Sequence, residues 1–159
     1  MKIGVPKETV TGEKRVASTP DIVKKLVIKG FSVLVARGAG EAAHFTDDEY
    51  QSAGATLVDT AEAFAADIVL KVRKPSLEEI SMMIDGAVLI GFIEICEDDG
   101  TLKALFDKNI RAMALERVPR ISRAQSMDAL SSQSNIAGYR AVIEAANQFG
   151  RFFPLMMTS

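Results

Sequence analysis

The segment DIVLKVRKPSLEEI, residues 67–80, decides the fold. Residues 67–72 are mostly apolar and rich in β-branched side chains, which predicts a strand. After Pro75, Ser76 and Glu79 have the spacing of a capping box, which predicts the start of a helix. A strand followed at once by a capped helix is the repeating unit of an α/β domain with a mostly parallel sheet.

The same alternation extends to both sides of this segment. Thr46 with Glu49 forms a second capping box, and Thr19 followed by Pro20 predicts another helix start. Further strands are predicted at residues 2–5, 31–36, 87–93 and 110–115, and further helices at residues 20–29, 47–53, 102–106 and 135–149. We therefore predict a three-layer α/β sandwich.

Composition narrows the possible functions. The 159 residues are 48% hydrophobic and 25% charged, which is ordinary for one globular domain with a sizeable core. The 19 basic and 21 acidic residues are spread along the chain, so a nucleic-acid partner is not expected. No apolar run reaches the roughly 18 residues of a membrane span, and no signal peptide is visible, so we expect a cytoplasmic protein without membrane insertion. The single cysteine, Cys96, fits a reducing compartment and is interpreted as a half-buried apolar residue.

The stretch VPRISRAQSMDALSS, residues 118–132, concentrates polar groups of many kinds. It contains two guanidinium groups, an amide, a carboxylate and four hydroxyls. Such a set suits a loop that contacts a ligand. It also suits a solvated loop whose hydroxyls cap the following helix, and residue types alone leave both interpretations open.

The run PRISRAQSMDALSSQSNIAGYRAV, residues 119–142, closely resembles the alpha subunit of proton-translocating NAD(P) transhydrogenases. The segments MKIGVPKET, GEKRVASTP, GAGEAAHFTD and LKVRKP fit the same family, which includes the alanine dehydrogenases. The resemblance implies a flavodoxin-like N-terminal domain over residues 1–133. It also implies that residues 134–159 form a connecting helix and the start of a link to an NAD-binding domain that lies beyond this sequence.

The resemblance also implies a function for the polar stretch. Arg120, Gln125, Asp128 and Ser131 would contact the nicotinamide of bound NAD(H) and face the NADP(H) domain of a partner subunit. Ser122 and Arg123 are further expected cofactor contacts, and the expected catalytic set is Arg120, Gln125 and Asp128. Direct hydride transfer between two nicotinamides needs alignment of the rings and no acid or base.

The implied assembly is larger than this chain. The expected partners are the membrane and NADP-binding subunits of the transhydrogenase, together with a second copy of the chain in a homodimer. The domain would then lie in the cytoplasm, peripheral to the inner membrane, and take part in hydride transfer that is coupled to proton translocation.

The glycine turn at residues 38–43 resembles a dinucleotide fingerprint, with Asp59 near the position of a ribose-binding acid. A phosphate site needs a helix that begins within the glycine turn, whereas the capping box begins this helix at Thr46. Glu41 would also place a carboxylate beside the phosphates. We therefore interpret residues 38–40 as a turn that requires a positive φ.

Two alternatives to transhydrogenation remain. Arg15 and Lys71 match positions that hold the substrate carboxylate and carbonyl in alanine dehydrogenases, and Lys7 lies near the same predicted strand ends. However, Glu94 stands where those enzymes have a catalytic histidine, and a carboxylate cannot replace imidazole near pH 7 without a large pKa shift. The other alternative is a non-catalytic domain that docks subunits.

Three remaining features carry weaker expectations. His44 is expected to be a partly buried structural residue, and one histidine without a cysteine pair predicts no zinc site. Tyr139 is interpreted either as a support for the polar stretch or as a core aromatic residue. The apolar end, residues 151–159, is expected to pack against a region that this sequence lacks.

Overall fold

The computed structural model describes residues 1–94 and 99–151. The chain divides into two compact units, Met1–Arg117 and Val118–Ser159. The domain boundary expected between residues 133 and 134 stays a prediction. Cys96 and residues 152–159 lie outside the described residues, so the expectations for Cys96 and for the apolar end stay predictions.

One sheet of parallel strands organises the first unit. Its strands are Lys2–Val5 (β1), Ser32–Ala36 (β2), Thr56–Val58 (β3), Ile68–Leu70 (β4), Val88–Gly91 (β5) and Arg111–Ala114 (β6). Every neighbouring pair is parallel, and the order across the sheet is β3-β2-β1-β4-β5-β6. The predicted α/β class with a mostly parallel sheet is confirmed.

Strand β3 has only three residues and is not among the strands predicted from the sequence. If β3 is left out and the five predicted strands are numbered 1 to 5 in chain order, their order across the sheet is 2-1-3-4-5, as in flavodoxin-like sheets. The missed strand pairs with β2 at the edge and converts this to the 3-2-1-4-5-6 order of Rossmann sheets. The expected flavodoxin-like domain therefore has one more edge strand.

The helices are Pro20–Ile28 (α1), Asp47–Ser52 (α2), Thr60–Phe64 (α3), Leu77–Met82 (α4), Thr101–Asp107 (α5) and Ala129–Gln148 (α6). Helix α1 packs on α2, and α4 packs on both α3 and α5. Right-handed crossovers place α1 and α2 on one face of the sheet and α3, α4 and α5 on the opposite face, because the strand order reverses after β3. This is the predicted three-layer sandwich.

Each face of the sheet has its own apolar core. On the α1 and α2 face, Val5, Val33 and Val35 pack with Val23 and Tyr50. The Tyr50 hydroxyl donates to the carbonyl oxygen of Ser18 at 2.8 Å, and burial raises the pKa of Tyr50 to about 12. The other core contains Phe64, Ile80, Leu89 and Leu105 among its buried residues.

Local capping signals fix several helix starts. Both predicted capping boxes are confirmed, with Thr46 and Ser76 each accepting from the backbone N–H three residues later and the glutamate at that position accepting in return. Thr19 occupies the predicted N-cap position of α1, although its side chain makes no capping hydrogen bond. None of the helices in the described residues has the length and apolar character that a membrane crossing requires.

Gly4 allows α3 to approach β1 very closely. A Cβ atom at this position would lie 1.8 Å from the carbonyl oxygen of Ala63 in α3. Backbone cannot move aside as a flexible side chain can, so only glycine fits here.

Gly4→Ala should therefore lower the free energy of unfolding by about 1–3 kcal/mol, because the added methyl group separates α3 from the sheet. The matched control is Gly138→Ala within α6, where an added Cβ meets no heavy atom within 4 Å. That change should stabilise its helix by about 0.5–1 kcal/mol. Urea unfolding followed by circular dichroism measures both effects, and equal effects of the two variants would contradict the close approach.

Candidate functional site

The order of the sheet reverses between β1 and β4. In open α/β sheets ligands bind beyond the carboxyl ends of the strands at such a point. Residues that follow these two strands include Lys7 and Glu8 after β1, and Lys71 and Arg73 after β4. This is one of two regions where predicted site residues gather.

Lys71 is buried at the reversal point in a cluster of charges. Its Nζ atom lies 3.3 Å from Glu8 Oε2 and 3.1 Å from Glu79 Oε1, and the side chains of the two glutamates are 3% and 6% exposed. Nζ also lies 5.6 Å from the centroid of the Phe64 ring, and the Thr9 hydroxyl donates to Glu79 at 3.1 Å. Two carboxylates thus surround one ammonium group.

Glu8 is not among the site residues predicted from the sequence, and Glu79 was predicted only as part of the capping box. A signal was available, because a lysine directly after a buried strand needs a partner of opposite charge. The glutamate that supplies this opposite charge depends on which strands are neighbours. Glu8 is 63 residues away from Lys71 in the sequence, so no local pattern connects the two.

Arg15 also binds a carboxylate of the chain itself. Its backbone N–H, its Nε–H and its Nη2 group donate to the Glu13 carboxylate at 2.9, 2.8 and 2.6 Å. Hydrogen bonds between a guanidinium and a carboxylate are among the stronger ones in proteins. The structure therefore pairs both predicted substrate-binding cations, Arg15 and Lys71, with internal glutamates, and a role toward a bound carboxylate stays a prediction.

Glu94 follows β5 at the same edge of the sheet. Its φ is +54°, in the left-handed region, and its carboxylate lies 3.1 Å from the Arg73 guanidinium. Glu94, which the sequence resemblance is expected to place where alanine dehydrogenases have a catalytic histidine, is thus held in an ion pair.

The glycine turn has the structure expected of a turn rather than of a phosphate site. Gly38 has a φ of +69°, and its N–H donates to Asp47 Oδ1 at 2.9 Å. A short 3₁₀ helix, Glu41–Ala43, follows, and α2 begins only after Thr46. Asp59 is the N-cap of α3, where its side chain accepts from the Glu62 N–H at 2.8 Å.

The other cation and the histidine near this turn lie at the surface. Lys7 makes a 3.5 Å ion pair with Glu41, with side chains 49% and 67% exposed. His44 is exposed with a φ of +64° at the end of the 3₁₀ helix, so the expected partial burial is wrong. Within residues 1–94 and 99–151, no group of three or more His, Cys, Asp or Glu side chains could hold a metal ion.

In the second unit, Asp128 organises the polar stretch. Its Oδ1 atom accepts from the N–H groups of Leu130 and Ser131 at 3.1 and 3.2 Å, and the Ser131 hydroxyl donates to Oδ2 at 2.6 Å. The Ser131 hydroxyl bond is the largest cause that holds the pKa of Asp128 below its ordinary value, and the charge of Arg120 contributes to the same shift. Helix α6 therefore begins at Ala129, six residues before the predicted start at residue 135, and Ser131 lies in its first turn.

Five of the six predicted cofactor-binding residues line one open pocket of about 310 Å³ in the second unit. A 3₁₀ helix, Ser122–Met127, supplies two of them, and α6 with its N-cap supplies two more. The lining residues are Arg120, Ile121, Ser122, Gln125, Asp128 and Ser131. Arg123 is the predicted contact that is not among them. Tyr139 is 71% exposed, so its interpretation as a core aromatic is wrong.

Residues 4–137 match the family described as alanine dehydrogenase/PNT, N-terminal domain. The chain belongs to this family. It is 50% identical to an NAD(P) transhydrogenase subunit alpha polypeptide of Rhodospirillum rubrum, over 100% of the chain and 43% of the relative. Alanine dehydrogenase of Bacillus subtilis is 37% identical over 89% of the chain and 37% of the relative.

Solved structures show the same relationship. The transhydrogenase from Sinorhizobium meliloti aligns with a TM-score of 0.92 and 44% identity, over 100% of this chain and 48% of that chain. An L-alanine dehydrogenase aligns with a TM-score of 0.72 and 33% identity, over 74% of this chain and 33% of that one. This member of the alanine dehydrogenase/PNT family therefore spans less than half the length of these relatives.

In this family member the buried Lys71 cluster should be essential for stability. Lys71→Met leaves two buried carboxylates without a counter-charge and should cost about 3–5 kcal/mol of unfolding free energy. The control is Lys7→Met, which removes an exposed ion pair and should cost about 1 kcal/mol or less. Urea titration of both variants measures the difference, and similar midpoints would contradict the burial of this charge cluster.

The Arg15–Glu13 pair should make stability depend on pH. Hydrogen bonding by the Arg15 guanidinium lowers the pKa of Glu13 from 4.5 to about 2. A lowered pKa in the folded state stabilises the protein above the unfolded pKa, and this contribution is lost as pH falls from about 4.5 through about 2. Glu13→Gln should therefore destabilise the chain at pH 7, and its difference from wild type should shrink toward pH 2.

Urea unfolding at several pH values checks this dependence. Glu78→Gln, at an exposed glutamate of α4, is the control and should stay close to wild type over the same range. A Glu13→Gln difference that stays constant with pH would show that the ion pair does not stabilise the folded state.

Proposed function

We propose that this chain is the N-terminal domain of an NAD(P) transhydrogenase alpha subunit. It would take part in hydride transfer from NADH to NADP⁺, as a component of a complete oxidoreductase. The relatives with 47–50% identity over the whole chain carry the name of that subunit, which supports the proposal.

The pocket in the second unit is the observation that carries this function. Its polar side chains supply a guanidinium, an amide, hydroxyls and a carboxylate within a dozen residues, which fits the carboxamide and neighbouring groups of a nicotinamide nucleotide. Its volume of about 310 Å³ is at the lower end of the range for small-molecule pockets. We therefore assign it the nicotinamide end of NAD(H), with the remainder of the dinucleotide bound outside this chain.

Four of the lining residues have a defined task in this assignment. Bound NAD(H) would supply the reducing equivalent. The Gln125 amide can donate to a carboxamide oxygen and accept from a carboxamide nitrogen, which fixes the orientation of the ring. Asp128 holds the Ser131 hydroxyl in the pocket wall, and Arg120 supplies positive charge for a phosphate or for Asp128. The chain aligns the ring and helps to exclude water, and no proton has to move.

The proposed assembly supplies what this chain lacks. NADP(H) would be bound by a partner subunit, and proton translocation would take place in the membrane subunits. We also propose a homodimer in the cytoplasm that associates with the inner membrane through those partners. Subunit names among the relatives support the existence of partners.

The alternative functions have less support. An alanine dehydrogenase would need an acid–base group at residue 94, where this chain has a glutamate in an ion pair with Arg73. A purely docking domain would not need five predicted cofactor contacts in one pocket. The experiment below separates both from transhydrogenation.

Gln125→Ala in the complete polypeptide, assembled with its partner subunits, should slow hydride transfer from NADH to NADP⁺ by about ten- to a hundredfold. The reason is that the nicotinamide loses a paired hydrogen-bond partner and its alignment. Stopped-flow or steady-state assays measure the rate, and co-sedimentation measures assembly. Gln51→Ala, at an exposed glutamine in α2, is the matched control and should retain the wild-type rate.

Three outcomes would contradict separate elements of this proposal. Unchanged hydride transfer with lost assembly would favour a docking domain. Pyruvate-dependent NADH oxidation by the complete wild-type protein would favour an alanine dehydrogenase. Micromolar binding of NADH to the 159-residue chain alone, measured by NADH fluorescence, would contradict the placement of most of the dinucleotide outside it.

A further inference from the structure

Two successive backbone N–H groups after β5 converge on one side chain. The Ile93 N–H donates to Glu116 Oε1 and Oε2 at 3.1 and 3.3 Å, and the Glu94 N–H donates to Oε1 at 2.7 Å. Successive N–H groups that face a common point form a concavity that binds anions. In this chain Glu116 supplies the anion.

The contact extends the pairing of two strands past their ends. Gly91 of β5 is opposite Ala114 of β6 in the last register pair, and Ile93 and Glu116 are each two residues further on. Beyond the ladder, a side-chain carboxylate thus takes the place of a backbone acceptor. We call this arrangement of Glu116 with the Ile93 and Glu94 N–H groups the Glu116 clamp.

The backbone at Glu94 needs such a clamp. A residue with a side chain at a φ of +54° is unfavourable, and it persists where surrounding contacts fix it. The Arg73 guanidinium, which follows β4, holds the Glu94 side chain at 3.1 Å. An ion pair and hydrogen bonds therefore link Arg73 after β4, Glu94 after β5 and Glu116 after β6.

Glu116 also lies where the chain leaves the first unit. It is the central residue of the 3₁₀ helix Leu115–Arg117, and the second unit begins at Val118. Arg120, the first predicted nicotinamide contact, follows four residues after Glu116. The clamp thus fixes the end of the first unit from which the polar stretch departs.

We propose that Glu116 is a positioning residue for hydride transfer. It acts through the chain and does not touch the cofactor: the clamp holds the exit of β6 against the exit of β5, and the polar stretch that carries the proposed nicotinamide contacts begins directly after this exit. This proposal rests on the proposed function, because it gives the clamp a role in aligning the ring of NAD(H).

Glu116→Ala in the complete assembled protein tests this role. Loss of the clamp should lower the hydride-transfer rate at saturating NADH by on the order of tenfold to a hundredfold, since small misplacements of an aligned ring are costly. NADH affinity should change by less than about threefold, because the ring contacts themselves remain. Amide hydrogen exchange at Ile93 and Glu94 should become faster.

Two further measurements separate positioning from a general loss of structure. Glu116→Gln keeps one acceptor oxygen and should give an intermediate rate. Formate added to the Glu116→Ala protein should fill the space left by the carboxylate and raise the rate in a saturable manner, with no effect on wild type. Glu78→Ala, at an exposed glutamate of α4, is the control and should match wild type in rate and exchange.

Specific results would overturn the proposal. A wild-type rate in Glu116→Ala, with faster exchange at Ile93 and Glu94, would show a clamp without a role in transfer. Unchanged exchange would show that there is no clamp. If Glu116→Ala does not fold, a wild-type rate in Glu116→Gln without any change in exchange overturns the proposal equally. Slow transfer in Gln125→Ala together with normal transfer in both Glu116 variants would leave the proposed function intact and reject only the clamp.

Discussion

The buried ammonium group of Lys71 is the constraint on which the first unit depends. Moving a charge out of water is costly unless partners of opposite charge replace the lost hydration. Glu8 and Glu79 provide these partners, one from the segment after β1 and one from α4. Glu8 also accepts from the Val72 and Arg73 N–H groups at 2.6 and 3.3 Å, so the same carboxylate holds the end of β4. The segment after β1, the end of β4 and the start of α4 are thus held together at the reversal point of the sheet.

This constraint has a consequence for ligand binding. The reversal point is where a sheet of this order offers a crevice, yet here internal carboxylates surround the cation that would attract an anionic substrate. The opposite arrangement is found in the second unit. Arg120 and Gln125 line an open pocket, and the bonds of Asp128 to the start of α6 hold that pocket in shape. In the first unit the cation at the reversal point is paired internally, whereas in the second unit predicted cofactor contacts line an open pocket.

The features that the sequence predicted are those with local causes. The capping boxes at Thr46 and Ser76 span four residues each, so their spacing is visible without knowledge of the fold. The residues of the polar pocket also lie within one short stretch, which a 3₁₀ helix and the first turn of α6 bring together. Their residue types alone left a ligand-contacting loop and a solvated loop both open, and the resemblance supplied the expected contacts. Pairing of Lys71 with Glu8 depends on β1 and β4 being neighbours, which no local pattern specifies. Strand β3 was missed because its three residues contain only two large apolar side chains, Leu57 and Val58, whereas the equally short β4 lies within a longer, mostly apolar run.

Carboxylates that accept from backbone N–H groups recur throughout this chain. Asp59 and Asp128 do so at helix starts, and Glu8 and Glu116 do so just beyond strand ends. In each case an acid compensates N–H groups that helix or sheet geometry leaves without a partner. Each of these four carboxylates therefore has a structural task at the end of a helix or strand. These structural tasks are compatible with the proposed function, because direct hydride transfer between two nicotinamides requires alignment of the rings and no acid or base.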